Sequence, residues 1–237
     1  WIGRVDHNFS SRQRMYFRYL HNRRNEDRNM NGLPGLGMNA QDPLVRINDG
    51  GVVDSVTTLS PTTIMNLRGS YNRFIEAAYR QRAMGFDMTD LGFPGALSAA
   101  RPQAMVPRIE PNQYREWGPG AWNEQITNTL SFQGSLSHIS GKHSLKSGVE
   151  VRDLRVNIKG SGWGGGRFTF NRDFTRRLPQ YSDAVSGSAI ASLLLGYPNG
   201  GQIENNAFLA FRWGYYAFYF QDDIKLTSRL TANLGLR

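Results

Sequence analysis

The sequence predicts an all-β fold: an antiparallel up-and-down transmembrane β-barrel, present here as a partial barrel of about eight strands with long extracellular loops. Three observations carry that expectation. Strand-like segments are joined by short links at 10–12, 60–62, 140–142 and 227–228, in alternation with long ones at 23–50, 77–121 and 160–204. Membrane barrels have this asymmetry, with tight turns at one end and long loops at the other. Within the segments apolar and polar residues alternate, which sorts them onto opposite faces because a strand has a side-chain period of two. Finally, no stretch approaches the ~20 apolar residues of a membrane helix; the longest apolar run is 189–195. A spanning chain would then have to satisfy its backbone between strands.

Taken in order, segments 1–9 and 13–22 flank the first short joint, with Trp1, Phe9, Tyr16, Phe17 and Tyr19 around it. Segment 51–59 returns as 63–76, where Met65, Leu67 and Tyr71 oppose Asn66, Arg68, Ser70 and Asn72. The cleanest alternation lies in 122–139. Ile126, Leu130, Phe132 and Leu136 share one parity with Asn128 and Gly134, while Thr127, Thr129, Ser131, Gln133, Ser135 and Ser137 fill the other. Across the turn Ser140-Gly141-Lys142, segment 143–159 sets Leu145, Val149 and Val151 against Lys146, Glu150 and Arg152. After Asp153 the apolar parity flips to Leu154, Val156 and Ile158, which reads as a bulge or a departure from the membrane band. Segment 205–226 holds the densest aromatic run, on both parities, as an interfacial girdle would. In 229–237, Leu230, Ala232, Leu234 and Leu236 oppose Thr231, Asn233 and Arg237. Small polar residues on the second face suit a wide aqueous or plugged lumen better than a packed core.

The net charge is +9, and Arg supplies 24 of the 28 basic residues. These charges are spread over loops and both strand faces, with no helix or motif to gather them, so no nucleic acid partner is expected. The densest group, Arg12, Arg14, Arg18, Arg23, Arg24 and Arg28, spans a turn, a strand and a loop start. A guanidinium fork suits phosphate and carboxylate, which points to outer-membrane lipid, lipopolysaccharide phosphates or an anionic substrate as partners. Without Cys there is no disulfide framework and no thiolate metal site. Of His7, His21, His138 and His143, only the last two could meet across a turn, and two ligands do not make a metal site. The run Gly160-Ser161-Gly162-Trp163-Gly164-Gly165 has dinucleotide-loop spacing, but the strand-like Arg167-Phe168-Thr169-Phe170-Asn171 follows where a helix is needed. A flexible loop tip is expected there. No Gly-x-Ser-x-Gly elbow occurs, and neither an enzyme nor a cofactor is expected. The start at Trp1-Ile2-Gly3-Arg4 carries no signal peptide and the end falls inside an apparent strand, so the expectation is an internal fragment of a longer chain.

The segment Tyr219-Phe220-Gln221-Asp222-Asp223-Ile224-Lys225-Leu226-Thr227-Ser228-Arg229-Leu230-Thr231-Ala232-Asn233-Leu234-Gly235-Leu236-Arg237 resembles the barrel hairpin of TonB-dependent outer-membrane receptors, Oar-like branch. Arg4-Val5-Asp6-His7, Leu91-Gly92-Phe93-Pro94-Gly95 and His143-Ser144-Leu145-Lys146-Ser147-Gly148-Val149-Glu150 are similar to the same branch. So is Ser192-Leu193-Leu194-Leu195-Gly196-Tyr197-Pro198, preceded by a short helix from Asp183. Ile224 departs from the pattern, standing where the family often has Trp. The resemblance implies that residues 1–237 are part of one receptor barrel of about 22 strands, whose plug domain and remaining strands lie outside this sequence. It implies energised uptake of an extracellular ligand such as a siderophore, oligosaccharide or peptide. Coupling to TonB–ExbB–ExbD would run through missing N-terminal regions. A small eight-stranded barrel with a structural or adhesive role is the alternative.

Binding is expected at the loop tips, where aromatic rings stack on sugars or chelates and Arg holds anionic groups. The candidate ligand-binding residues are Tyr114, Arg115, Trp117, Trp122, Trp163 and Arg167, with Arg108 nearby.

Overall fold

The computed structural model describes residues 1–27, 32–37, 43–178, 180, 183 and 185–237. Arg28 of the basic group lies outside them. In chain order the strands are β1 (Ile2–Asn8), β2 (Gln13–Glu26), β3 (Leu44–Ser60), β4 (Thr63–Ala78), β5 (Arg108–Pro111), β6 (Trp122–Ser140), β7 (His143–Gly162), β8 (Arg167–Phe170), β9 (Gly200–Gln202), β10 (Leu209–Lys225) and β11 (Thr231–Leu236). Two short helices, α1 (Gly95–Ala100) and α2 (Ala189–Leu194), fall in the long connections. Eight strands form one antiparallel meander in the order β1-β2-β3-β4-β6-β7-β10-β11, with β1 and β11 at its edges. The other three form a separate sheet, β5-β8-β9.

All eight anticipated segments are strands of the meander. Several run further on the side of the long connections: β2 reaches Glu26, β3 starts at Leu44 and β7 ends at Gly162, whereas β10 starts only at Leu209. The β2 extension has no apolar residue, the β7 extension is Gly160-Ser161-Gly162, and the β3 extension mixes polar and apolar residues on both parities, so no alternation marks them. Backbone ladder bonds carry the strands on, and Arg46 braces the extension by pairing with Glu26 on β2 and Glu76 on β4.

The register sorts the side chains. Val5, Phe17, Val53, Gly69, Phe132, Val151 and Tyr216 stand in one row across seven strands on one face. Of these, Val5, Phe17, Val53, Phe132 and Tyr216 are exposed, Tyr216 at 77%. One residue along each strand, the opposite face carries the row Asp6, Tyr16, Asp54, Arg68, Gln133 and Glu150. Here opposite charges meet. Arg68 pairs with Asp54 at 2.7 Å, Gln133 donates to Glu150 at 3.0 Å, and Arg152 pairs with the same Glu150. Arg4 pairs with Asp6 and lies over the Tyr16 ring. Asp54 is the sheet's one buried acid among the described residues, accepting also from Asn66 at 3.1 Å. Gly148 sits on this face beneath the Tyr219 ring, which a Cβ would meet at 2.5 Å; the ring covers the gap that the missing side chain leaves.

The apolar face is a band rather than a whole face. Toward the tight turns it ends where the His138 ring nitrogen meets Thr63 at 2.8 Å and where His143 pairs with Asp222 at 2.7 Å. The two histidines weighed as a metal pair are thus each engaged separately. Toward the long connections the band ends at the row Arg73, Asn128, Arg155 and Arg212, and on β7 one row earlier, at Asp153, which pairs with Arg155. Nine residues, 129–137, separate these boundaries on β6, and nine, 213–221, separate them on β10. Nine residues are about 30 Å of strand, or a band of about 23 Å at a tilt of about 40°.

The parity flip after Asp153 is not a bulge. The β6–β7 and β7–β10 ladders pass through it in unbroken register. Instead the apolar residues change face: Leu154, Val156 and Ile158 stand beside Trp213, Phe211 and Leu209 on the otherwise polar side. The aromatic run of β10 divides accordingly. Tyr216, Phe218 and Phe220 belong to the apolar band, while Phe211, Trp213, Tyr215 and Tyr219 face the other way.

A cation placed within the band, compared with one placed on the polar face, tests the expected membrane facing. Phe132→Lys is expected to lower the stability of the protein refolded in lipid vesicles by about 2–4 kcal/mol. Gln133→Lys, beside Glu150, is expected to change it by less than about 1 kcal/mol. Denaturant titration of the vesicle-inserted protein reads both, and equal losses would refute the facing assigned here.

Candidate functional site

The three long connections converge on one cap at the end of the sheet opposite the tight turns. Its centre is the small sheet, where β5 from the second connection pairs in parallel with β8 from the third, and β9 pairs antiparallel to β8. Alternation works here as in the large sheet. Ile109, Phe168 and Phe170 turn to one side and, with Met88, form a buried cluster against Phe93, Leu97 and Leu193. The Phe93 and Phe168 rings lie 4.8 Å apart, which gives the Leu91-Gly92-Phe93-Pro94-Gly95 stretch a packing role.

Polar groups lock the cap's chain path. The buried Arg101 guanidinium donates to the carbonyls of Met105 (2.7 Å), Phe86 (3.0 Å) and Ser98 (3.2 Å). Burial pulls its pKa below the usual arginine value, against the attraction of Asp87. Asp87 accepts from the Thr89 amide and the Ser98 hydroxyl, and these bonds hold its carboxyl below the ordinary range. Gly118 shows how tightly the path is set. Its φ is +83°, and a Cβ would lie 2.3 Å from the Pro107 carbonyl oxygen. Its amide reaches Gly37 of the first connection at 3.2 Å, tying all three connections together.

Two features expected from the sequence differ. Residues 160–165 are not a flexible tip: Gly160 to Gly162 finish β7, and Gly164 and Gly165 are buried, with Met105 against Gly165. The short helix does not start at Asp183 but at Ala189, after Ser188, whose hydroxyl accepts from the Ala191 amide. Asp183 instead accepts from the Val185 and Ser186 amides, which commits its carboxylate outside any helix.

Two cavities flank the small sheet. The first, about 590 Å³, is apolar and lined by Leu36, Phe86, Phe93, Ile109, Trp117, Phe170 and Leu193 among others. The second, about 700 Å³, is a polar cleft lined by Arg108, Glu110, Asn112, Gln113, Tyr114, Glu116, Thr169, Asn171 and Asn199. One wall of the cleft is the turn at 111–114, closed by the Tyr114 amide donating to the Pro111 carbonyl at 3.1 Å. Its third residue, Gln113, has φ +71°, the left-handed position that such turns usually give to Gly or Asn. Holding a Gln there costs about 1 kcal/mol and points the turn at the cleft.

Beside the cleft is a charged hub. Arg167 donates to Glu110 at 2.7 and 3.0 Å, and Arg108 donates to the other Glu110 oxygen at 3.0 Å while pairing with Glu116 at 3.3 Å. The Trp163 ring lies 5.3 Å from the Arg167 guanidinium and 5.8 Å from that of Arg108. Burial pushes the Glu110 carboxyl up, but the hydrogen bonds from Arg167 and Arg108 outweigh it and hold the group below its ordinary value. The bond to Glu110 raises Arg167 in turn.

The six sequence-predicted residues therefore do not share one surface. Tyr114, 56% exposed, lines the polar cleft, and Trp117 lines the apolar cavity. Trp163 and Arg167 belong to the hub between β5 and β8. Arg115 lies near Gly32 of the first connection, and Trp122 opens β6 opposite Gly162. The cleft's amides, Asn112, Gln113, Asn171 and Asn199, were not anticipated. Only the Asn112-Gln113-Tyr114 run signals them in sequence, since Asn171 and Asn199 arrive through the fold. Among the described residues, no three His, Asp or Glu side chains are grouped to hold a metal ion.

Two outcomes are expected of this cap. Gly118→Ala adds left-handed strain to a backbone clash and should lower the cap's local stability by more than about 1 kcal/mol, read as faster hydrogen exchange at Ile109 and Trp117. Glu110 has a depressed folded pKa, so the stabilisation it gives is present above its ordinary value of 4.5 and is lost as pH falls through the depressed one. Protection of those amides, corrected for intrinsic exchange, should hold from about pH 8 to about pH 5 and decline below, and Glu110→Gln should flatten that decline.

Comparison with known proteins places this geometry. No curated protein matches the chain, and no solved structure matches it. A family model does, described as an outer membrane beta barrel domain and matching residues 1–237. With its two-faced antiparallel meander, tight turns at one end and long connections at the other, the chain belongs to the outer-membrane β-barrel domain family.

Proposed function

We propose that this domain is part of the wall and external cap of a TonB-dependent receptor, and that its apolar band faces lipid while its polar face lines a lumen. The observation that carries this reading is the convergence of all three long connections on one folded cap at a single end of the sheet. A gate for solutes needs such a structure on its outer side, and connections with no role in binding have no need of a shared core. The band of about 23 Å matches the apolar height of membrane barrels.

On this reading a ligand is captured outside, in the polar cleft, by Tyr114 with Asn112, Gln113 and Asn199. Trp117 and the apolar cavity take any greasy portion, and Arg115, Trp122, Trp163 and Arg167 hold the rim in shape or contact the ligand's edge. Uptake would be driven by TonB–ExbB–ExbD acting through segments outside this sequence, and siderophore, oligosaccharide and peptide ligands all fit a mixed polar and apolar cap. The chain does no chemistry on what it passes. The alternative of a small closed barrel with a structural or adhesive role requires β1 to pair with β11. Here β1 pairs with β2 and β11 with β10, and both remain sheet edges.

The test is uptake by cells carrying the complete receptor, using a radiolabelled panel of one ferric siderophore, one oligosaccharide and one peptide. One class is expected to accumulate and to stop accumulating when an uncoupler removes the proton-motive force. Tyr114→Ala combined with Asn112→Ala should cut that uptake by about tenfold or more. Accumulation that is indifferent to the uncoupler would refute energised transport.

A further inference from the structure

Charged residues build the floor of the polar cleft, yet they cancel. Arg108 and Arg167 share Glu110, and Arg108 also meets Glu116, so two positive charges stand against two negative ones within one set of bonds. A new ionic partner would have to break an existing pair, and that is costly for groups held partly out of water. The hydrogen-bonding groups left over are neutral. Asn171 is committed to Asp173 through both its side-chain nitrogen and its oxygen, and the Thr169 hydroxyl donates to the Gly200 carbonyl at 3.2 Å. The side-chain amides of Asn112, Gln113 and Asn199 and the Tyr114 hydroxyl are exposed at the cleft and have no partner among the described residues.

The backbone holds these open groups in place. The Asn112 amide donates to the Phe170 carbonyl at 2.7 Å, and the Asn199 amide to the Thr169 carbonyl at 2.9 Å. Both residues are thereby tied to β8 through their main chains while their side chains stay unengaged. Gln113 goes further, since its φ of +71° is a strained position that a glycine would hold without cost. Strain of this kind persists where the surrounding structure enforces it, and it gathers at ligand sites. What the strain secures here is an amide at the tip of the turn, beside the exposed Tyr114 ring.

We propose that the cleft selects a neutral oligosaccharide, an inference that rests on the reading of the cap as the place of ligand capture and names the class captured. Each Asn or Gln side chain offers two N–H donors and a carbonyl, which matches sugar hydroxyls because these donate and accept at once. The Tyr114 ring supplies a flat apolar face for the C–H side of a sugar ring, with a hydroxyl at its tip. The volume of about 700 Å³ lies in the range of small-molecule sites. An anionic ferric chelate needs an unpaired cation, whereas the arginine lining this cleft is bonded to both of its glutamates. An extended peptide is held by main-chain bonds along a strand edge, whereas the open groups here are side chains from two stretches of the chain.

The experiment measures binding to the full-length protein in an amine-oxide detergent, whose headgroup is not a sugar. The probes are fluorescent maltohexaose, cellohexaose and mannohexaose, the galacturonic acid hexamer, and a Gly-Ser hexapeptide. At least one neutral hexasaccharide is expected to bind about tenfold more tightly than the galacturonate hexamer and the peptide. Gln113→Gly, which removes the amide and relieves the strain, should weaken that binding about fivefold or more without speeding hydrogen exchange at Ile109 and Trp117. A purely structural role for Gln113 predicts no such loss. Glu116→Gln leaves Arg108 with surplus positive charge and should shift the preference toward galacturonate. Tightest binding of the galacturonate hexamer or of the peptide by the wild-type protein would overturn the proposal, and so would no binding of any neutral hexasaccharide. Glycan binding with uptake that ignores the uncoupler would refute energised transport alone. Energised uptake of another class without glycan binding would refute this inference alone.

Discussion

Backbone hydrogen bonding between neighbouring strands is the constraint on which the rest of this structure depends. A chain that places an apolar surface against lipid has no water there to satisfy its amides and carbonyls, so each strand must bond along its whole length to the next. Six consecutive ladders do this in the meander from β1 to β10, and a seventh joins β11. Once the ladders are continuous, the period of two determines every side chain's facing, and a slip of one residue would exchange the two faces. The polar face reinforces the register from within, because Asp54 with Arg68 and Glu150 with Gln133 meet only in this alignment. The apolar face has no such partners, and its residues are the exposed Val, Leu, Phe and Tyr that the surrounding medium must cover.

The cap obeys a different rule. Its short strands are held by a small buried core and by charges that meet across long sequence separations, as Glu110 and Arg167 do. It therefore carries two kinds of cavity on one scaffold, apolar where Ile109 and Phe170 face and polar where Arg108, Glu110 and Thr169 face. The eight-stranded sheet positions this cap because the ends of β4, β6, β7 and β10 deliver its chain segments to one place.

The meander was legible in the sequence because its signal is local. Ile126, Leu130, Phe132 and Leu136 against Thr127, Thr129 and Ser131 leave only one arrangement of faces. The cap was not, for two physical reasons. Parallel pairing of residues 108–111 with 167–170 joins segments far apart in sequence, and four-residue strands show too little periodicity to be recognised. The glycines at 160–165 look like a mobile tip, yet Gly164 lies against Ser161 and Gln103, and Gly165 against Met105, with no room for a side chain. The aromatic run of β10 was visible as a whole, but its division between the faces became clear only when the uninterrupted β7 register excluded a bulge at Asp153. Of the candidate binding residues, Tyr114, Arg115 and Trp117 are exposed, while Trp163 and Arg167 took partners that no spacing rule reveals.

The central claim is that one face of the meander meets lipid and the other meets water. The chain has no cysteine, so single cysteines can be placed along β6, at Thr127, Thr129, Ser131, Gln133 and Ser135 on one parity and at Leu130, Phe132, Gly134 and Leu136 on the other. In membranes of cells making the complete protein, the first set should react with a water-soluble maleimide. The second should react only with a lipid-dissolved reagent. Equal reaction of both parities with the water-soluble reagent would contradict the account.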